Sequence, residues 1–430
     1  MSLVFRLLLA AALALVAGLI AVPAAGARTG SCLVPGDPIQ CNVWTGKVTF
    51  VADGDTIYVD IDNDGTRTAF HVRITGVNAM EQTVYASRAS QRRGECHALE
   101  ATARLERLIK RSRYRVRLAA QDPGSRSRSR LRRSVAVRIG GRWRDVGRRL
   151  LAEGHALWLA NRSESAWNRE YSVLAQRVAT QGKGLWNPHY CGVGPYENSP
   201  LAIWVNSNAD GSDADFVNGE WVKIRNLDPV NPVHLGGWWL RDSALRRYTF
   251  PSYTTIAPND QITVYAGEGS DTWTEFYWDL PGPAFENTTT GEDAMGDGAY
   301  LFDVQGDLRT WMIYPCRLNC VDPHQGQIQV GAKSSGREHI TLRNLAPAPI
   351  DLSTYRLDAN PYSYAFDRDS VLLPGEEMRI DVRGDPAEDT RLHKHWGETG
   401  AILRNNGDTV RLASYTEITL GCYAWGDKAC

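Results

Sequence analysis

Beyond residue 22 the chain has no apolar run approaching the length of a membrane span, which excludes a membrane-spanning helix in that part and leaves an uncleaved N-terminal anchor as the one alternative to a soluble mature chain. It has almost no net charge, −1 over 430 residues. Its eight cysteines lack the spacing of a zinc site, since Cys316 and Cys320 have no matched His or Cys pair nearby. Disorder is excluded as the general state by a hydrophobic content of 43%. What remains is a globular chain long enough for two or three domains.

What is present begins with Arg6, an apolar stretch from Leu7 to Val22, and Ala25-Gly26-Ala27. A charged start, an apolar core and a small-x-small site are the parts of a secretory signal peptide, expected over residues 1–27. The mature chain is then expected to begin near Arg28 and to be secreted and extracellular, with association to the cell envelope as an alternative. An even number of cysteines in an exported chain favours disulfides. The expected pairs are Cys32–Cys41 and Cys96–Cys191, with Cys316, Cys320, Cys422 and Cys430 pairing near the C-terminal end.

The small net charge hides a division. Residues 44–190 carry 27 Lys+Arg against 14 Asp+Glu, a balance of +13, and the rest carries 21 against 35, or −14. A basic domain of this kind matches a polyanionic partner such as nucleic acid.

Within the basic segment, β-branched or alternating runs bounded by Gly or Asp predict strands at 46–51, 56–61 and 69–75. A helix is predicted over 95–111, with Leu99, Ala103, Leu105 and Leu108 as its apolar stripe. Strands at 114–119 and 134–139 and helices at 146–152 and 165–179 complete the segment. The chemistry concentrates between Asp53 and Glu81: the run Asp53-Gly54-Asp55-Thr56, then Arg73, Asn78, Ala79, Met80 and Glu81. Carboxylate oxygens suit a hard cation such as calcium. A guanidinium grips a phosphate through two parallel hydrogen bonds, and a free carboxylate can take a proton from water. Metal-assisted phosphodiester hydrolysis needs these three parts.

The order D-G-D-T, Arg73 to Glu81, Arg133 in R-R-S-V-A-V, Gly154-His155-Ala156 and Gly184-Leu185-Trp186 resembles the thermonuclease (staphylococcal nuclease-like) family over residues 44–191. The resemblance implies an OB-fold barrel with helices, a fold that binds oligonucleotides on one face. It further implies a calcium ion held by Asp55, Asn78 and the main chain of Ala79, and Glu81 as general base. Arg73 and Arg133 would clamp the phosphate, with Arg132 or Arg130 as alternatives to Arg133. The substrate would be DNA, with RNA as an alternative, cut to 3′-phosphate products. Two departures stand out. Asn78 occupies a position where the family has an aspartate ligand, and Met80 replaces a proline. Asn78 keeps a second reading open, a nucleic-acid or cell-surface binding protein with weakened catalysis. Asp53 is expected to form the turn, and the Asp60/Asp62/Asp64 run to form a hairpin turn rather than a calcium loop. Trp158 is either a base-stacking residue or part of the core.

Residues 192–203 form a Gly/Pro/Asn-rich linker. Beyond it an internal repeat appears: Glu220 to Leu227 matches Glu338 to Leu345, and Pro232 to Leu240 matches Pro349 to Leu357. The expectation is two similar sandwiches, at 204–320 and 321–430, each resembling the lamin-tail domain, an immunoglobulin-like β-sandwich. The predicted fold class is mainly β with α: a barrel followed by two sandwiches, through which a protein or cell-surface partner is expected to bind.

Overall fold

The computed structural model describes residues 26–36, 39–82, 94–288 and 294–430, so the leader expected over 1–27 lies outside them except for its last two residues. Five strands form a closed barrel: β1 Gln40–Val51, β2 Thr56–Ile61, β3 Phe70–Ile74, β4 Arg115–Ala120 and β5 Arg130–Ile139. Their order is β1-β2-β3-β5-β4, and β4 returns to β1 to close the ring. The β3–β5 contact alone is parallel. A parallel pair needs a long crossover, which here includes helix α1, Ala98–Arg111.

Period-two alternation fills the barrel. Ile57, Val59, Val72, Val116, Leu118, Val135 and Val137 are all buried in one core. Helix α1 turns Ala98, Ala101, Leu105, Leu108 and Ile109 inward, while Leu99 is 71% exposed. Of the expected stripe, Leu105 and Leu108 are buried, whereas Leu99 and Ala103 fall off it: at 100° per residue, the row through 98, 101, 105 and 108 is the continuous one. Two further helices, α2 Val146–Ala152 and α3 Asn168–Thr180, lie against each other beside the barrel. Asp145 caps α2 by accepting a hydrogen bond from the Arg148 amide at 3.1 Å. Residues 28–31 pair with the start of β1. The segment expected as a separate lead, 28–43, is thus part of the barrel sheet.

Two β-sandwiches follow, with strands spanning 201–314 and 328–425. The first sandwich strand begins at Leu201, inside the expected linker. Each sandwich has two four-stranded sheets arranged in the same order. The repeat has a structural meaning. Asn226 donates its amide to the carbonyl of Asn231 at 2.7 Å, and its counterpart Asn344 donates to Ala348 at 2.9 Å. Glu220 accepts from the Ala284 amide at 2.6 Å, and Glu338 from the Ile402 amide at 3.0 Å. The asparagines tie loop carbonyls and the glutamates satisfy buried backbone amides at the same place in the two copies.

The barrel and the first sandwich share a continuous core. Trp239, Tyr300, Phe302, Leu308 and Ile313 from the sandwich pack with barrel-side residues such as Trp186. The Trp186 ring meets Tyr300 at 5.9 Å and Trp311 at 5.4 Å, both edge-on. The second sandwich docks on the first through Trp221–Tyr415 at 5.1 Å and a 2.9 Å hydrogen bond from the Trp396 indole to Asp210.

Disulfides join Cys32–Cys41, Cys96–Cys191, Cys316–Cys320 and Cys422–Cys430. The first two are the expected pairs, and the last four cysteines pair locally. Four disulfides fit an extracellular or otherwise oxidising environment. Among the described residues no helix is long and apolar enough to cross a membrane.

Two expectations follow from this architecture. Cys96–Cys191 closes 95 residues and Cys422–Cys430 closes 8. On chain entropy, removing the first should cost about 4.7 kcal/mol and the second about 2.5 kcal/mol. Urea unfolding of the two Cys→Ser double variants tests this ranking, and equal losses would contradict it. Burial also pushes the Glu220 carboxyl up to about 8. The folded chain then holds that proton more tightly than the unfolded chain, so stability falls as pH rises from the usual carboxyl range through about 8. Glu220→Gln should flatten this slope, measured as urea midpoints at pH 5 and pH 8. An unchanged slope would rule Glu220 out as its source.

Candidate functional site

The turn between β1 and β2 sets the site. Asp53 accepts from the Asp55 amide at 3.0 Å, the turn-forming role expected of it. Gly54 is required by proximity: a Cβ there would sit 2.7 Å from both the Ala79 and Ala101 methyls. Its absence lets α1 and residues 77–80 close over the turn. Thr56 lies opposite Arg73 in the β2–β3 register, so Asp55, one residue earlier, is within reach of the Arg73 side chain.

Asp55 and Arg73 form a buried ion pair, 1% and 4% exposed. Asp55 also accepts from the Thr56 hydroxyl at 2.8 Å and, on its other oxygen, from the Ala79 amide at 2.8 Å. Arg73 donates on to the Asn78 side-chain oxygen at 2.8 Å. Burial pushes the Asp55 carboxyl up to about 7 against the pull of Arg73. Asp55, Arg73, Asn78 and Ala79 are therefore brought together as the sequence predicted.

The partners differ from those expected. The Asn78 amide donates to the Ser243 carbonyl of the first sandwich at 2.6 Å. Ser243 sits in the loop of a hairpin, Trp239–Arg241 with Arg247–Thr249. Asp242 fixes that loop by accepting from the Ala244 and Arg246 amides at 2.9 and 2.8 Å. Asp297 holds the Ser243 amide at 3.1 Å. Around this contact, Met80 is buried 3.8 Å from the Arg241 guanidinium, and Arg247 stacks on Trp239 while reaching Glu95 at 3.5 Å. The sandwich thus seals one side of the Asp55–Asn78 cluster.

This arrangement does not fit a calcium ion. Calcium takes six to eight oxygen ligands. Here the Asp55 oxygens accept from Arg73, Thr56 and Ala79, and the Asn78 oxygen accepts from Arg73. The guanidinium occupies the position between Asp55 and Asn78 that a bridging cation would need.

The remaining candidates are dispersed. Glu81 is half-buried and close enough for Arg73 to act on it, yet burial is the larger influence and raises its carboxyl. Its amide donates to Glu95 at 2.8 Å. Arg133 is 1% exposed and turned into the barrel wall. It donates to the Pro123 and Arg132 carbonyls at 2.7 Å and lies 4.6 Å over the Trp44 ring. Successive strand residues face opposite ways, so Arg132, the register partner of Arg73, takes the outward side instead. Arg73, Arg130 and Arg132 line a cleft of about 240 Å³ that Ala244 and Leu245 of the sandwich help to close. Neither Glu81 nor Arg133 lines it. Trp158 is fully buried and belongs to the core. Asn63, with φ 61°, and Gly65, with φ 82°, make the hairpin turn expected of the Asp60–Gly65 run.

Sequence reasoning missed Ser243, Arg241, Arg247 and Glu95. A backbone carbonyl and a docked loop leave no pattern in a single chain.

Replacing Asn78 by aspartate removes the only donor to the Ser243 carbonyl among the described residues and turns a carboxylate toward it. Asn78→Asp should therefore destabilise the protein by about 1–3 kcal/mol, measured by urea unfolding. Unchanged stability would show that the sandwich contact does not depend on the amide.

No curated protein matches the chain. Residues 202–315 match the family model described as Lamin Tail Domain. That match coincides with the first sandwich, whose strands run from 201 to 314. The segment that seals the Asp55–Arg73 pair thus belongs to an immunoglobulin-like lamin-tail domain.

Proposed function

We propose that the protein is an exported nucleic-acid-binding protein built on a nuclease-like OB barrel, with the hydrolytic site converted into a docking point for the lamin-tail sandwich. The five-strand barrel and the D-G-D-T turn support the nuclease-like ancestry. The +13 balance of residues 44–190 supports a polyanionic partner. One observation carries the loss of hydrolysis: Asn78 spends its amide on the Ser243 carbonyl while Arg73 fills the space between Asn78 and Asp55. Two of the positions that depart from the nuclease pattern, Asn78 and Met80, touch the sandwich. An aspartate at 78 could not donate to that carbonyl, and the amide can.

A second reading keeps the enzyme, a calcium-dependent nuclease acting on DNA or RNA. What favours it is Glu81, a half-buried carboxylate beside Arg73, with Arg130 and Arg132 in the neighbouring cleft. In that reading Glu81 takes a proton from water and the arginines hold the phosphate.

The two separate in one experiment. Mature protein is mixed with labelled DNA and with plasmid, with calcium or with a chelator. The proposal expects salt-sensitive binding and an intact plasmid in both conditions. Calcium-dependent cleavage that disappears in Glu81→Gln would establish the enzyme instead.

A further inference from the structure

Away from the sealed site, the barrel carries a second concentration of arginine. β5 continues into residues 142–145 through a two-residue turn, Gly140-Gly141, with φ of 59° and 78°. Positive φ at both turn residues is what a tight hairpin of this twist requires, and glycine supplies it without strain. In this hairpin Arg138 lies directly opposite Trp143, and Ile139 opposite Arg142. Alternation then divides the side chains between two faces. Arg138 and Trp143 line one groove of about 500 Å³, together with Arg111, Arg113 and Arg115. Arg142 and Arg144 line another of about 490 Å³, with Arg104, Arg111 and Arg149. Arg111, at the end of α1, reaches both grooves. No residue of either groove lines the Arg73 cleft.

Few of these charges are neutralised. Arg104 and Arg149 share Glu153, and Arg115 pairs with Asp62. Arg111, Arg113, Arg138, Arg142 and Arg144 have no carboxylate partner among the described residues. All five are exposed. Holding so many like charges together costs electrostatic energy, and a polyanion relieves that cost. The turn after α1 adds a sign of the same kind: Arg113 and Tyr114 both have positive φ, 53° and 63°, uncommon for non-glycine residues. Tyr114 is 46% exposed there.

We propose that the hairpin blade and its two flanking grooves are a nucleic-acid-binding surface that takes a single strand, with phosphates against the arginines and a base against Trp143. The proposal rests on the nucleic-acid reading above and locates it. Arginine forks suit phosphate. An aromatic ring within the basic groove is what separates a single-strand site from a purely electrostatic surface for a sulfated polysaccharide or an anionic membrane. Wrapping over the blade needs a flexible chain, which a single strand is and a duplex is not.

The test is fluorescence anisotropy of a labelled 20-nucleotide DNA strand with the full mature chain, from 50 to 300 mM salt. Arg111→Ala/Arg138→Ala/Arg142→Ala should weaken binding at least tenfold and lower the log K against log salt slope by about 2, at about 0.7 per phosphate contact. The exposed double variant Arg142→Ala/Arg144→Ala should lower it by about 1.4 and guards against misfolding of the triple. Trp143→Ala should weaken binding about tenfold with the slope unchanged. If the strand binds wild type and these variants alike, the proposal fails. Loss in Arg130→Ala/Arg132→Ala alone would move the site to the cleft and leave the functional reading standing. If wild type binds no nucleic acid, both fail. Tighter binding to heparin or to phosphatidylserine vesicles than to the strand would overturn the nucleic-acid assignment.

Discussion

The Asp55–Arg73 ion pair is the constraint around which the barrel and the first sandwich are fitted. Both side chains are almost fully buried, so each must be satisfied largely from within. Thr56 and the Ala79 amide complete Asp55. Asn78 receives Arg73 and passes the chain of hydrogen bonds to the Ser243 carbonyl. A buried pair of this kind adds little net stability compared with an apolar replacement, because desolvation offsets the attraction. Its effect is on placement. The pair fixes Asn78, and Asn78 fixes where the sandwich loop can sit.

That placement divides the labour of the protein. The apolar contact of Trp239, Phe302 and Trp186 supplies the bulk of the adhesion between barrel and sandwich, and the polar contact at Ser243 supplies its register. The second sandwich docks on the first through Trp221–Tyr415 and Asp210. The basic blade stays outside all of these contacts, which is where a long polyanion can approach it.

Much of this was legible in the chain. Alternating β-branched runs located the barrel strands, because a half-buried strand must alternate. The repeated E-x-V/I-x-I/L-x-N pattern marked two sandwiches, because Glu220 and Asn226 and their counterparts bond corresponding backbone groups in the two copies. The convergence of Asp55, Arg73 and Asn78 was legible through the nuclease resemblance, and the register that sets Thr56 opposite Arg73 is the physical basis of its first part. Arg133 was not: a single step along β5 decides between the cleft and the barrel wall, and three arginines in four residues offer no way to choose. Leu99 failed for the same reason on α1. The meaning of Asn78 was hidden more deeply. Its partner is a main-chain atom 165 residues away, and a carbonyl has no residue type.

The account turns on Arg73 holding the place a cation would take. Isothermal titration of calcium into the mature wild-type protein tests this most directly, with Asp55→Asn as the control. The account predicts no saturable heat through millimolar calcium in either protein. A saturable calcium site in wild type that vanishes in Asp55→Asn would contradict it.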